Sequence, residues 1–289
     1  MLLALLAVVF WSTAPTAFKL GLRYQDTYQL LTGASLGSLG ALTLILVLRR
    51  QHRPWKGLSG RDVSYSLVLG LINPVVYYLV LFKAYSLLPA QVAQPLNMVW
   101  PLVLVLLSVP FLRQKLSWLS LAAMGISFLG VVLISWQGGT LGQEEGNRLG
   151  VFLALGTSLL RSLYWVLNAR DGKDPVVRLW LNFFFASLVL LAGCWFRSPG
   201  LPEGWEAWGT AVYVGVFEMG VTFVLWLTAL QKAPSTDRIS NLVYLAPFLN
   251  LFWIRLFLQE HIFPGTLAGL VLLVAGILLQ NTLGRKKHG

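Results

Sequence analysis

The chain of 289 residues is 56% hydrophobic and only 11% charged, with a mean hydropathy of +0.70. Soluble domains carry roughly 25% charged residues, so this chain cannot cover a water-facing surface, and lipid must solvate part of it. The net charge of +11 lies in short segments between apolar runs. That distribution argues against a nucleic-acid partner, which would need a basic patch, and the composition argues against a soluble enzyme or a disordered tail.

A membrane-crossing helix needs about 20 mostly apolar residues. By that ruler the sequence predicts ten spans, at 2–21, 28–48, 63–82, 87–111, 118–136, 149–168, 176–196, 208–229, 235–258 and 264–283. Irregular backbone cannot face lipid, so the expected fold class is an all-α membrane bundle. The first run has no basic leader and reads as a retained helix. Between spans lie Arg49, Arg50, Arg53, Lys56 and Arg61, then Arg113 and Lys115, then Arg170, Lys173 and Arg178. Lys232, Arg238, Arg285, Lys286 and Lys287 follow on the same side, against only Arg23, Arg148 and Arg197 on the other. Lys and Arg concentrate on the cytoplasmic side, so both termini are expected there, in a bacterial-type inner membrane.

The two halves resemble each other. Pro89, Trp100-Pro101, Arg113-Gln114-Lys115 and Gly130-Val131-Val132-Leu133 overlay Pro234, Ala246-Pro247, Gln259-Glu260-His261 and Gly276-Ile277-Leu278-Leu279. The expected division is a five-helix repeat at 1–137, an extracytoplasmic connector at 138–148, a second repeat at 149–284 and a basic cytoplasmic tail at 285–289. An odd number of spans per copy turns the second copy over in the membrane. Inverted repeats around a central cavity are a device of secondary transporters, with the solute site between the halves.

Charges within spans are costly and are functional candidates by default. Glu218 lies well inside the eighth span, and the repeat sets it opposite Asn73 in the third. It reads either as a proton-titrating or amine-binding carboxylate, or as a buried partner for Arg161 or Arg255. Arg161 could hold a substrate carboxylate through a two-pronged bond or tie helices together. Arg255, Lys19 and Lys83 sit nearer span ends, where long side chains snorkel. Trp11, Tyr77, Tyr78, Trp100, Trp165, Phe217 and Tyr244 avoid the interfacial belt that Trp55, Trp118, Trp136, Trp205 and Trp208 occupy. Aromatic faces suit a flat ring or a quaternary ammonium group, and equally suit helix packing. Asn97 could hydrogen-bond a solute or a neighbouring helix. Pro15, Pro95, Pro101 and Pro247, with Pro74, each remove a backbone donor and could act as gating kinks or as static ones. Gly33, Gly37, Gly40, Gly265 and Gly269 permit close helix contact.

Phe10-Trp11-Ser12-Thr13-Ala14-Pro15 with Lys19, and Tyr244-Leu245-Ala246-Pro247 with the acidic Glu260, resemble the EamA family of the drug/metabolite transporter superfamily. The resemblance covers essentially the whole chain and implies ten helices in two five-helix repeats, with the aromatic residues named above around the cavity. The usual acidic residue closing the fourth helix is Gln114 here. Phe10-Trp11-Ser12-Thr13, Asn97-Met98-Val99-Trp100-Pro101 and Gln114-Lys115-Leu116-Ser117-Trp118 are similar to YddG-type aromatic amino-acid exporters, which implies export of amino acids, aromatic or apolar ones first.

Other chemistry finds little support. Gly33-Ala34-Ser35-Leu36-Gly37 matches a nucleophile elbow but lies in an apolar helix rather than a strand–turn–helix. The sequence carries no P-loop or dinucleotide fingerprint. One cysteine, Cys194, excludes an intramolecular disulfide, and the dispersed histidines imply no metal site. The reading is a non-enzymatic transporter without a cofactor, whose partners are a small-molecule substrate, the lipid bilayer and, as a candidate coupling ion, the proton. A monomer is compatible with it. The alternatives are uptake or exchange of another solute such as a quaternary amine, a passive facilitator, and a membrane-embedded enzyme acting on lipid-linked substrates.

Overall fold

The computed structural model describes residues 2–50, 56–100, 102–103, 106–107, 118–137, 145–169, 174–198, 200–231, 242 and 245–285, most of them helical and with no strand among them. The helices are α1 (Leu2–Tyr24), α2 (Thr27–Leu48), α3 (Gly60–Leu87), α4 (Ala90–Asn97), α5 (Trp118–Gln137) and α6 (Glu145–Ala169). They continue with α7 (Pro175–Arg197), α8 (Trp205–Tyr213, Val214–Gly220 and Val221–Gln231), α9 (Ala246–Leu258) and α10 (Pro264–Arg285). Among the described residues α1, α2, α3, α7 and Trp205–Trp226 of α8 are long and apolar enough to cross a membrane.

Capping chemistry decides where several helices start, which a hydropathy ruler does not register. Asp26 accepts from the N–H groups of Tyr28 and Gln29, and the Gln29 side chain returns a bond, forming a capping box. Asp174 accepts from Val176 and Val177 ahead of Pro175, whose missing N–H costs nothing in a first turn. Ser59 and Asp62 form a second box, so α3 starts at Gly60 rather than at the expected 63, and it runs on to Leu87 rather than 82. The fourth span, expected from 87, starts only at Ala90, after Pro89. Pro247 lies in the first turn of Ala246–Trp253, where its missing N–H costs nothing. Pro15 and Pro95 lie inside α1 and α4, and Pro101 is outside the described residues.

Wide turns interrupt α3 and α8. In α3 the backbone at Asn73 is extended (φ −147°, ψ 116°) within the wide turn Leu71–Val76. In α8 a wide turn spans Val214–Gly220 and carries Glu218. Such turns free carbonyls, and Thr222 donates its hydroxyl to one of them, that of Phe217.

Packing follows the logic of lipid. Large apolar side chains face outward, with Phe152 73% and Trp195 83% exposed, while Ser12, Ser35, Asn97, Ser127 and Asn182 are buried. Water would favour the reverse; a bilayer solvates the apolar exterior and leaves polar groups to pair within. Across the contact of α2 with α7, Ser35 and Ser187 hydroxyls meet at 2.9 Å and Thr32 donates to the Leu190 carbonyl at 3.1 Å. Arg178 of α7 donates to the Asp62 carbonyl (2.8 Å) and to Ser66 (2.6 Å), and pairs with the Asp62 carboxylate at 3.5 Å. Elsewhere α1 packs on α8 and α9, α3 and α4 on α6, and α5 on α10.

Glycines set how near these helices come. A Cβ on Gly70 of α3 would lie 2.5 Å from the Asn182 carbonyl oxygen of α7, and one on Gly215 of α8 would meet the Ala34 carbonyl of α2. Both residues stand three positions ahead of the interruption residues, Asn73 and Glu218. Gly269 also approaches backbone, Gly130 of α5, whereas Gly40 has open space about it. Forcing a methyl into a packed contact costs about 1–3 kcal/mol. Gly215→Ala and Gly70→Ala should therefore each lower the melting temperature in detergent by several degrees, while Gly40→Ala leaves it unchanged. Equal melting of all three in a thermal-shift assay would contradict the backbone contacts.

Candidate functional site

A small buried cavity lies between α1, α3, α4, α6, α8 and α9, with Glu218 of the α8 wide turn in its wall. Trp11, Ala14, Pro15 and Phe18 of α1 form one wall, and Tyr77 and Leu81 of α3 another. Gln94, Asn97 and Met98, then Arg161, Glu218 and Ala246, complete it. Proline at position 15 leaves the carbonyl one turn earlier without its helical donor, and small Ala14 admits the facing helices. The space at the centre is about 20 Å³, room for one water molecule.

Two opposite charges line this cavity. Glu218 is 6% and Arg161 9% exposed. The Tyr78 hydroxyl donates to Glu218 Oε1 at 2.9 Å, and Oε2 has no hydrogen-bond partner among the described residues. Arg161 Nη1 donates to the Tyr77 hydroxyl at 2.9 Å and to Asn97 Oδ1 at 3.5 Å, leaving Nε and Nη2 uncommitted among the described residues. No ion pair joins Arg161 to Glu218 among them. The tyrosine pair stands between instead, with rings edge to face at 4.7 Å. Adjacent helix residues point about 100° apart, so Tyr77 reaches the arginine and Tyr78 the carboxylate.

The remaining neighbours hold the arginine in place. Its guanidinium lies over the rings of Tyr77 (5.7 Å) and Trp100 (5.6 Å), within cation–π range. Asn97 receives a bond from Tyr77 at 3.3 Å and gives one to Thr157 at 2.8 Å. Its amide is thus occupied by protein, and it positions Arg161. Trp11 packs against Trp226 (5.2 Å) and Phe223 (6.0 Å), and its indole N–H, like that of Trp100, is buried without an acceptor among the described residues.

The sequence-based candidates therefore divide. Trp11, Pro15, Tyr77, Asn97, Arg161 and Glu218 line the cavity; Tyr78, Trp100 and Pro95 stand behind them or along α4. Asn73 is buried at the break in α3 and Phe217 packs with Phe10 and Tyr213, both at 5.0 Å, and neither is in the cavity wall. Phe217 turns away for the same angular reason that separates the tyrosines. Arg255 is exposed and reaches the Glu260 carbonyl at 3.5 Å, which removes it as a partner for Glu218; Lys83 is exposed as well. Tyr244 and the Trp165 side chain lie outside the described residues. Phe18, Gln94 and Thr157 were not foreseen, although Gln91, Gln94 and Asn97 recur every three residues in an apolar span, a spacing that sets them along one helix face.

Helices of this length and hydropathy, polar inside and apolar outside, make the chain a multi-pass membrane protein. Residues 1–136 and 148–282 match the model of the EamA-like transporter family, and the chain belongs to that family. It is similar to the "Probable terminal-alkyne amino-acid exporter" of Streptantibioticus cattleyicolor, at 25% identity over 98% of this chain and 94% of that protein. It is also similar to the "Aromatic amino acid exporter YddG" of Ancylobacter novellus, at 27% identity over 73% of each chain. An "Uncharacterized transporter" of Archaeoglobus fulgidus is 24% identical over 95% of both. A solved crystal structure shares the fold, with a TM-score of 0.70 and 20% identity over 100% of this chain and 98% of that one.

Removing the Tyr78 hydroxyl would leave Glu218 with no hydrogen bond in a buried site, at a cost of about 1–3 kcal/mol. Tyr78→Phe should lower the melting temperature in detergent, and by clearly less in a Glu218→Gln background, because the pair is coupled. Equal losses in both backgrounds would mean that the two side chains act independently.

Proposed function

We propose that the protein is a secondary transporter that exports small organic metabolites, namely amino acids with aromatic or apolar ones favoured, by alternating access across the cytoplasmic membrane. One observation carries the reading. A carboxylate and a guanidinium line the same buried cavity, are not paired with each other, and each keeps bonding capacity in reserve. A solute carrying both charges satisfies both: its ammonium meets Glu218 Oε2 and its carboxylate meets Arg161, a fork suited to two parallel bonds. The side chain then lies against Trp11, Phe18 and Tyr77. Glu218, freed of solute, is the group that takes up the coupling proton.

The architecture under this proposal is two inverted repeats, 1–137 and 149–284, joined by the connector 138–148 and followed by the tail 285–289, with both termini cytoplasmic. Its support is the recurrence of features at matching places: the Asp26 and Asp174 caps, the Gly70 and Gly215 contacts, the interruptions at Asn73 and Glu218, and the two family-matched segments. The basic residues between spans support the orientation. A cavity of about 20 Å³ admits no amino acid, so the walls must part on one side before the solute enters.

Counterflow in proteoliposomes tests the reading. Phenylalanine and tryptophan should compete with each other, and choline, which lacks the carboxylate, should not. Glu218→Gln should abolish accumulation, and Arg161→Lys should reduce counterflow at least about tenfold, since lysine cannot reproduce the fork. Competition by choline as strong as by phenylalanine would replace the zwitterion with a quaternary amine. Unchanged rates in the Glu218→Gln variant would remove the carboxylate from the mechanism.

A further inference from the structure

A polar clamp joins the segment after α9 to the start of α4, outside the lining of the cavity. Glu260 stands just beyond α9 and reaches the start of α4. Its Oε1 accepts from the Ala90 N–H at 3.1 Å, and its Oε2 from the Gln91 N–H at 3.5 Å. The carboxylate thus takes up two of the donors that a helix start leaves unsatisfied, where the helix dipole also favours negative charge. Gln91, only 2% exposed, is gripped from the same segment: its Nε2 donates to the His261 carbonyl at 2.7 Å, and its Oε1 accepts from the Phe263 N–H at 3.0 Å. Gln259, immediately before, is left-handed (φ 56°) without being glycine. That conformation is strained for a residue with a Cβ and persists where the surroundings hold it, here by turning Glu260 back toward α4.

The clamp is joined to the site through α4. Gln94, one turn on from Gln91, accepts from the Tyr85 hydroxyl at 2.7 Å, and Asn97, one turn further, meets Tyr77 and Arg161. Beside this stripe Phe18, which also lines the cavity, packs edge to face on Tyr85 at 5.4 Å and tilted on Phe82 at 4.9 Å. We propose that Glu260 and Gln91 are the latch of a gate: with the clamp made, α4 and the Phe18 cluster seal the cavity at the Glu260 end. When the carboxylate releases the start of α4, the helix swings and opens that end, carrying Asn97 and thereby Arg161 with it. Glu260 and Gln91 are positioning residues that touch no solute. The inference rests on the reading of the cavity as the transport site.

Cysteine accessibility tests it without a substrate. With Cys194→Ala as background, Met98→Cys places a reporter in the cavity wall, and a membrane-impermeant maleimide is applied to vesicles of either orientation. Replacing a charge-assisted bond by a neutral one roughly halves its strength, so Glu260→Gln should raise labelling from the Glu260 face by about five- to tenfold. Gln91→Ala should raise it in the same direction, and so should Gln91→Glu, which sets two carboxylates against each other and serves if Glu260→Gln does not fold. Labelling unchanged in monodisperse Glu260→Gln and Gln91→Ala protein would overturn the latch. So would a rise shared by a Ser127→Cys reporter at the α5–α10 contact, which would signal general loosening. Because no solute is needed, a failed latch and a wrong substrate class give different results.

Discussion

Inside a bilayer a polar group has no water to fall back on, and that constraint arranges this molecule. Serine and threonine hydroxyls turn to carbonyls across helix contacts, Arg178 is held by Asp62 and Ser66, and asparagines bridge helices. Among the described residues unsatisfied atoms remain in several places, Ser38, Asn250 and Thr266 among them. One of them is a carboxylate oxygen of Glu218, which lines the cavity. Stability alone would not place it there, because a buried acid with half its bonds unmade weakens a fold. The site is held by the closely packed helices around it.

Those helices are placed by breaks as much as by regular turns. The extended residue at Asn73 and the wide turn at Glu218 let α3 and α8 carry close glycine contacts on one side and the tyrosine–carboxylate group on the other. An unbroken helix would keep a single angular register over its length, and the two faces could not be set independently. Tyr77 and Tyr78 use the 100° step in the same way, so that two adjacent residues serve charges on α6 and α8.

Much of this was legible in the sequence. Hydropathy located α1, α2, α3, α7 and α8 because lipid solvates them, and the insertion cost of charge singled out Arg161 and Glu218. Helix ends were read less well: Ser59 and Asp62 start α3 by hydrogen bonding, which apolar length does not report. The wide turn in α8 left no signal, since Val214–Gly220 contains no proline. Phe217 shows why a favoured residue type in a favoured span is not sufficient, because its angle about the axis decides what it meets. Glu260 was visible only as a family feature; that its carboxylate seats on the first turn of α4, far away in sequence, required the three-dimensional structure. Arg161 and Glu218 could be listed as potential partners, but the tyrosine pair between them could not be inferred from spacing.

Under the proposed transport reading, the smallness of the central hollow has a consequence for selectivity. A preformed mould chooses its guest by shape, whereas a chamber with room for a single water has no shape to offer. Discrimination must then fall on which newcomer can take over the contacts that the walls make with each other, ring for ring and charge for charge. Molecules too bland to replace those contacts would be refused by the protein's own cohesion, with no need for a narrow entrance.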